Sequence, residues 1–311
     1  MRIRHFMRKE RSGLAFSTLE WCKYEERQGH EVCLQQPQET APIYTSKGWG
    51  QDPPDVEVIH SQLATTSYHN GAPKFMVMHG EPLSSVGNGI SMKAIVDLAP
   101  LCEAFLCMRQ EEQPIWSAIK RTYLVPKGID LEQFRPLDGV TEKLSGAPAV
   151  LYVENWRGQR NPLYVCLAMQ EVHKALPGAR LHLYNCTDKR MKETFDALIK
   201  HNKWWTFIRT LAGPVQDINL LLNRVDMVVS GLFPLYARGI EAFGAGKAFI
   251  GAGYREHGYP YTCDYEPRSM ARAILQCWEE RGKIDFRAWA QTYHDVSNTV
   301  KQAVEVYQRY L

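Results

Sequence analysis

The stretch RGIEAFGAGKAFIGAGY, Arg238 to Tyr254, decides the fold. It reads as a short helix with a Glu near its start and two glycines at its end, running directly into a small-residue strand. Glu241, Gly244 and Gly246 interrupt an otherwise apolar segment where a plain core helix would carry Leu or Ala. Gly244 and Gly246 are expected to permit close helix–sheet packing and then a left-handed helix stop. Glu241 needs a reason beyond packing.

Working outward, the same alternation of short apolar runs and amphipathic stretches fills the chain. In the first half RIRHFM, HEVCLQQP, DVEVIHS, KFMVMHG, AFLCM and TYLVP read as strands, with SGLAFSTLEWCKYEERQG as a helix closed by Gly29 and EEQPIWSAI as another. After the polar segment PLDGVTEKLSGAP the pattern restarts: AVLYVEN, RLHLYN, TFIRTLA, DMVVSG and AFIGAG as strands, PLYVCLAMQEVHKAL and VQDINLLLNRV as helices. Strands alternating with helices predict an α/β protein with parallel, doubly wound sheets. Two such halves predict two Rossmann-like domains facing a cleft. The expected organisation is a first domain over 1–137, a linker over 138–147, and a second domain over 148–290. VSNTVKQAVEVYQRYL closes the chain as an amphipathic helix, with Val296, Val300, Val304 and Tyr307 at helical spacing.

The composition bounds the function classes. The chain has 311 residues, 45% hydrophobic and 23% charged, which suits a folded protein of two domains. Its formal net charge of +3 does not compel a nucleic-acid partner, although it permits anionic ligands. No apolar run approaches the roughly 18 residues of a membrane helix. The basic N-terminus MRIRHFMRKERSG has no apolar core, so no signal peptide is expected. Eight cysteines are scattered without a CxxC pair, several inside apolar runs. This pattern predicts reduced, buried thiols and a cytoplasmic location rather than a disulfide framework or zinc site.

Four segments together resemble the GT-B glycosyltransferases of the retaining, group-1 (GT4-like) type. YLVPKGIDLEQFRPL, Tyr123 to Leu137, is similar to the family's VIPNGVDxxxFxP signature, and RQGHEVCLQQP to its RGHEVxVxxP. RGIEAFGAGKAFIGAGY resembles LEAMACGxPVIA, and the closing AVEVYQRYL resembles the terminal helix that crosses back onto the first domain, here 291–311. The resemblance implies sugar transfer from a nucleotide-sugar donor to an acceptor hydroxyl, with retention. Glu241, in the first turn of its helix, would accept hydrogen bonds from the ribose diol, since a carboxylate accepts two at once. The backbone N–H groups from Tyr236 to Gly239 would face the diphosphate with the positive end of the helix dipole.

The chain has no DxD motif, the paired carboxylates that hold a divalent cation on the diphosphate, so no metal is expected. The leaving diphosphate must then meet cationic side chains and helix termini. VENWRGQRNP occupies the place of the family's VGRLxxxKG: Arg160 falls on the Lys position, Asn155 on the Arg position and Glu154 on the Gly, with Arg157 as a second charge. Phe233 stands where the family has a second Glu, and Tyr236 and Arg238 are the substitutes for sugar or phosphate contacts.

His79 follows an apolar strand in MVMHGEP, at the strand end where ligands bind in open α/β sheets, with Glu81 beside it. In similar enzymes a His here lies near the reacting sugar. An inverting enzyme would instead need a base in this domain, and His79 or Glu81 could serve. Ser12 and Gly13 sit at the first strand–helix turn, near which Arg8, Lys9 and Arg11 could touch an anionic acceptor, although the residues themselves favour a solvated basic face. Asn185, in YNCTD, is a candidate for the base pocket, while Lys127 and Gly128 read as structural.

The acceptor stays open between sugar, lipid, protein and a modified base in DNA, and peripheral contact with a membrane is compatible with the sequence. Phe233 and Asn155 also fit a catalytically degenerate GT-B protein that binds a nucleotide-sugar or scaffolds a partner.

Overall fold

Runs such as VEVI and KFMVM form strands covered on both faces, as parallel sheets require, while RIRHF buries Ile3, His5 and Phe6 and leaves Arg2 and Arg4 partly exposed. A computed structural model describes residues 1–7, 13–36, 42–50, 52–60, 71–79, 92–154, 162–184, 189–211, 215–231 and 236–311. Two units divide the chain: Met1–Asp130 with His294–Leu311, and Leu131–Tyr293.

The first unit is built on a seven-stranded sheet of order β3-β2-β1-β4-β5-β6-β7. Its strands are β1 (Arg2–Phe6), β2 (Glu31–Gln35), β3 (Tyr44–Thr45), β4 (Val56–Ile59), β5 (Lys74–Met78), β6 (Ala104–Cys107) and β7 (Thr122–Leu124). Every pairing is parallel except β2 with β3. The two-residue β3 has no counterpart in the sequence pattern, because a strand that short carries no readable period. Helix α1 (Gly13–Arg27) ends before Gly29, whose φ of +85° is the left-handed turn that glycine accepts. Helices α2 (Met92–Leu98) and α3 (Gln113–Ser117) follow.

The last helix of the chain, Val296–Gln308, is capped by Asp295, whose Oδ1 accepts from the Ser297 amide at 2.8 Å. Its Val296, Val300, Val304 and Tyr307 are buried in one cluster with Ile3, Trp21, Val56, Val58, Phe75 and Val77. Gly128 is required here. A Cβ on it would lie 2.4 Å from the Val296 Cα, so the backbone bridge between Ile129 and Asp295 forms only around a glycine.

The second unit carries a five-stranded, wholly parallel sheet of order β10-β9-β8-β11-β12. These strands are β8 (Ala149–Val153), β9 (Arg180–Tyr184), β10 (Ile208–Thr210), β11 (Met227–Ser230) and β12 (Ala248–Gly251). Its helices are α4 (Leu163–Ala175), α5 (Lys189–His201), α6 (Ile218–Asn223), α7 (Tyr236–Gly244), α8 (Pro267–Glu279) and α9 (Phe286–Tyr293). The alternation assigns no element to α5, α8 or α9. The signal for α8 was present in EPRS, where Glu266 caps the amides of Arg268 and Ser269 and Pro267 opens the helix.

The start of this unit is stitched down by side chains. The Asn219 and Asn223 side-chain oxygens accept from the amides of Arg135 at 3.1 Å and Leu137 at 3.0 Å. Arg287 donates to the carbonyls of Leu131 (2.8 Å), Phe134 (2.6 Å) and Gly244 (2.8 Å). Trp204 is buried, its indole N–H on Gln170, while Trp205 is exposed. The described cysteines are free and buried, and no described helix is long and apolar enough to cross a membrane.

Candidate functional site

Strand order fixes where each unit can hold a ligand. From β1 the first unit grows to β2 on one side and β4 on the other; from β8 the second grows to β9 on one side and β11 on the other. The helices that follow such diverging strands part to opposite faces, leaving a crevice at the carboxyl ends of the two central strands.

In the first unit three histidines meet at that end. His5 lies within β1, His60 directly after β4 and His79 directly after β5. The register pairs His5 with Val58 and Val58 with Phe75, so each successive histidine stands two residues further along the sheet, on one face. The ring nitrogens connect: His5 Nδ1 to His60 Nε2 at 2.8 Å, and His60 Nδ1 to His79 Nε2 at 3.0 Å. At the inner end, Glu25 of α1 reaches His5 Nε2 through its Oε2 at 2.5 Å, and Trp21 donates to the other Glu25 oxygen at 3.1 Å. Trp21 and Glu25 are four residues apart, hence on one face of the helix.

His5 and Glu25 are fully buried, His60 is 2% exposed, and His79 is the partly exposed end of the row. Burial disfavours charge on all four. It pushes His5 down to about 3. It also lowers His60 and His79 well below the usual histidine range, His79 with added repulsion from His60 and Lys127. The Glu25 carboxyl is pushed well up. Sequence reasoning selected His79 and missed its three supporters. VEVIH and FMVMH both end in histidine, which is the available signal; the link to His5 exists only in the strand register, and that to Glu25 only in the side-chain hydrogen bond from α1.

In the second unit the corresponding strand ends carry Glu154, directly after β8, and Ser230, the last residue of β11. Ser230 Oγ donates to Glu154 Oε1 at 2.6 Å, and the carboxylate is 3% exposed. The sequence has no local signal for this buried polar pair, since Glu154 reads there only as a replacement for a glycine.

Helix α7 follows β11 and holds the donor-site candidates. Glu241 is its sixth residue, in the second turn rather than the expected first, because the helix already starts at Tyr236; Arg238 occupies the first turn and donates to Glu241 Oε2. Gly246 takes φ +72°, the expected left-handed stop. The close helix–sheet approach falls at Gly239, where a Cβ would lie 2.6 Å from the Phe249 ring of β12. Arg11, Ser12, Glu81, Asn155, Arg157, Arg160, Asn185 and Phe233 lie outside the described residues, as do the side chains of Gly13's turn and Tyr236, although Gly13 opens α1 and Tyr236 opens α7.

No protein-family model matches the chain, and no curated protein matches it. Solved structures do. The chain is similar to a sucrose-phosphate synthase from Thermosynechococcus elongatus at 12% identity, with a TM-score of 0.75 over 99% of this chain and 98% of that one. It is similar to a glycosyltransferase from Rickettsia africae at 15% identity, TM-score 0.73, over 99% and 98%. It is also similar to Anabaena HepE in complex with UDP at 15% identity, TM-score 0.75, over 99% of each chain. At these identities the likeness establishes architecture: the chain has the GT-B fold, two Rossmann-like units built on parallel sheets.

Proposed function

We propose that the chain transfers a sugar from a nucleotide-sugar donor to an acceptor hydroxyl. The observation that carries this reading is Glu241 on α7. It is a carboxylate one turn beyond a helix N-terminus, following the strand at the topological switch point, in a chain whose fold is that of known glycosyltransferases. Glu241 accepts from the ribose diol, and the amides at the start of α7 face the diphosphate, where the helix dipole favours negative charge. Arg238, beside Glu241, adds a cation near the phosphates, and Arg157 and Arg160 are assigned the same task from the sequence. Neutralisation by these groups rather than by a divalent cation is part of the proposal and rests on the missing DxD motif.

His79 is assigned to the reacting sugar or the acceptor hydroxyl. Retention follows from the resemblance to the group-1 enzymes, with the leaving diphosphate oxygen taking the acceptor proton.

A UDP-sugar is the first donor to test, because HepE is also seen in complex with UDP-glucose. Calorimetric titration with UDP-, GDP-, ADP- and CMP-sugars, with Glu241→Ala alongside, tests the site. Binding of one nucleotide class that is lost in the variant supports it. Equal binding by both proteins, or none by either, overturns the Glu241 assignment. Tight binding with neither transfer nor slow donor hydrolysis overturns the enzymatic reading in favour of a nucleotide-sugar-binding protein.

A further inference from the structure

The described residues of the first unit hold a chain of buried titratable groups that ends at His79. Glu25, His5, His60 and His79 form an unbroken file of three hydrogen bonds, of 2.5, 2.8 and 3.0 Å, from inside the core to the carboxyl edge of the sheet. Each imidazole uses both nitrogens or lies at the end of the file. In a neutral imidazole one nitrogen donates and the other accepts, so fixing one bond fixes the direction of all of them.

We propose that this file is a proton relay in which Glu25 stores the proton that His79 takes up at the sheet edge. With Glu25 ionised, His5 donates from Nε2 to the carboxylate, His60 from Nε2 to His5, and His79 from Nε2 to His60. His79 then presents an unprotonated Nδ1. A proton arriving at that Nδ1 from a bound hydroxyl, whose oxygen keeps the electron pair, releases the Nε2 proton of His79 to His60 Nδ1. His60 passes its Nε2 proton to His5 Nδ1, and His5 passes its own to Glu25 Oε2. One proton has entered, Glu25 has become a carboxylic acid, every imidazole is neutral with its tautomer reversed, and His79 now presents an Nδ1–H donor. Read backwards, the same steps deliver a proton.

The surroundings fit this division of labour. Imidazolium is disfavoured along the whole row, while the one group pushed toward holding a proton at higher pH is the carboxyl at its inner end. Facing Glu25 are Trp21, which donates to it, and Cys22, His30 and Tyr307; Lys127 faces His79. Glu25, His5 and His60 are accordingly positioning residues acting through His79. Use of the proton in sugar transfer rests on the proposed function; the relay does not.

The test is nitrogen-15 NMR of histidine-labelled protein, reading protonation and tautomer of each ring between pH 5 and 9. The expected result is a single step in which His5, His60 and His79 change tautomer together and none becomes imidazolium, with the step absent in Glu25→Gln. Independent titration of any of the three, or no tautomer change in the wild type, overturns the relay, so the wild-type record decides even where the variant folds poorly. A step that persists in a folded Glu25→Gln protein overturns the role of Glu25. Donor titration of the same wild-type sample keeps the two readings separate: failure to bind any nucleotide-sugar counts against the proposed function and leaves the tautomer result standing.

Discussion

Arg238 donates to the carboxylate of Glu241, one turn further along α7, so the two residues assigned to the donor already form a pair across the helix surface. Their side chains are 32% and 12% exposed, and an i,i+3 pair on a helix surface contributes about 0.2–0.5 kcal/mol to stability. Glu241→Ala should therefore leave the melting temperature within a degree or two while weakening donor binding at least tenfold, the scale of hydrogen bonds to a charged acceptor at about 1.5–3 kcal/mol. Arg238→Ala removes a cation beside the proposed diphosphate position, so it should weaken binding of the free diphosphate nucleotide more than that of the nucleoside. Calorimetry with nucleoside, diphosphate and nucleotide-sugar separates these effects.

Two glycines are expected to resist alanine for different reasons. At Gly239 the obstacle is the Phe249 ring at 2.6 Å, fully buried and packed against Phe243 and Tyr254. At Gly128 it is the backbone of Val296, its Cα at 2.4 Å. A ring yields more readily than a backbone held by a bridge. Gly239→Ala should cost about 1–3 kcal/mol and Gly128→Ala more, as read by urea denaturation. Equal, negligible costs would remove the close-approach argument for both.

Arg287 should be a stability residue of the second unit. Its guanidinium satisfies the carbonyls of Leu131, Phe134 and Gly244 at once. Truncation to Ala abandons all three, with an expected loss of about 3 kcal/mol, and Lys, which lacks the planar fork, should restore less than half of it. A urea midpoint unchanged in Arg287→Ala would show that water replaces the side chain.

The buried row sets opposing pH dependences whose signs are fixed. His5 is held at about 3, below its usual 6.5, so its stabilising neutral form is at full effect above 6.5 and is lost as pH falls toward 3. At pH 5 this single residue costs about 2 kcal/mol relative to pH 7, and His60 and His79 act in the same direction. Glu25 runs the other way. Its carboxyl is raised above 4.5, so its contribution is complete below that value and is lost as pH rises through the raised folded pKa. In Glu25→Gln the loss on the alkaline side should disappear and the acid loss remain, measured as urea midpoints from pH 5 to 9. An unchanged alkaline limb would contradict the placement of Glu25.

The architecture and two of the candidate residues are legible in the amino-acid sequence alone. Apolar runs of strand length separated by amphipathic helices fix parallel sheets, because only a strand covered on both faces tolerates AVLYV or KFMVM. Gly246 announced the end of α7, and Val296, Val300, Val304 and Tyr307 announced the buried face of the terminal helix, since both signals are local. Glu241 and His79 stood out as polar residues at the ends of apolar segments. What the tertiary structure decided is everything that depends on register between distant strands. His5 in RIRHF and Glu25 in WCKYEER are indistinguishable from ordinary strand and helix residues until β1, β4 and β5 pair with a two-residue stagger. That stagger brings His5, His60 and His79, positions 55 and 19 residues apart, into one hydrogen-bonded file. Glu154 and Ser230 likewise meet only because β8 and β11 are neighbours. Local sequence fixes which segments are strands and helices; the burial that turns a histidine or a carboxylate into a partner for another is a property of the assembled sheet.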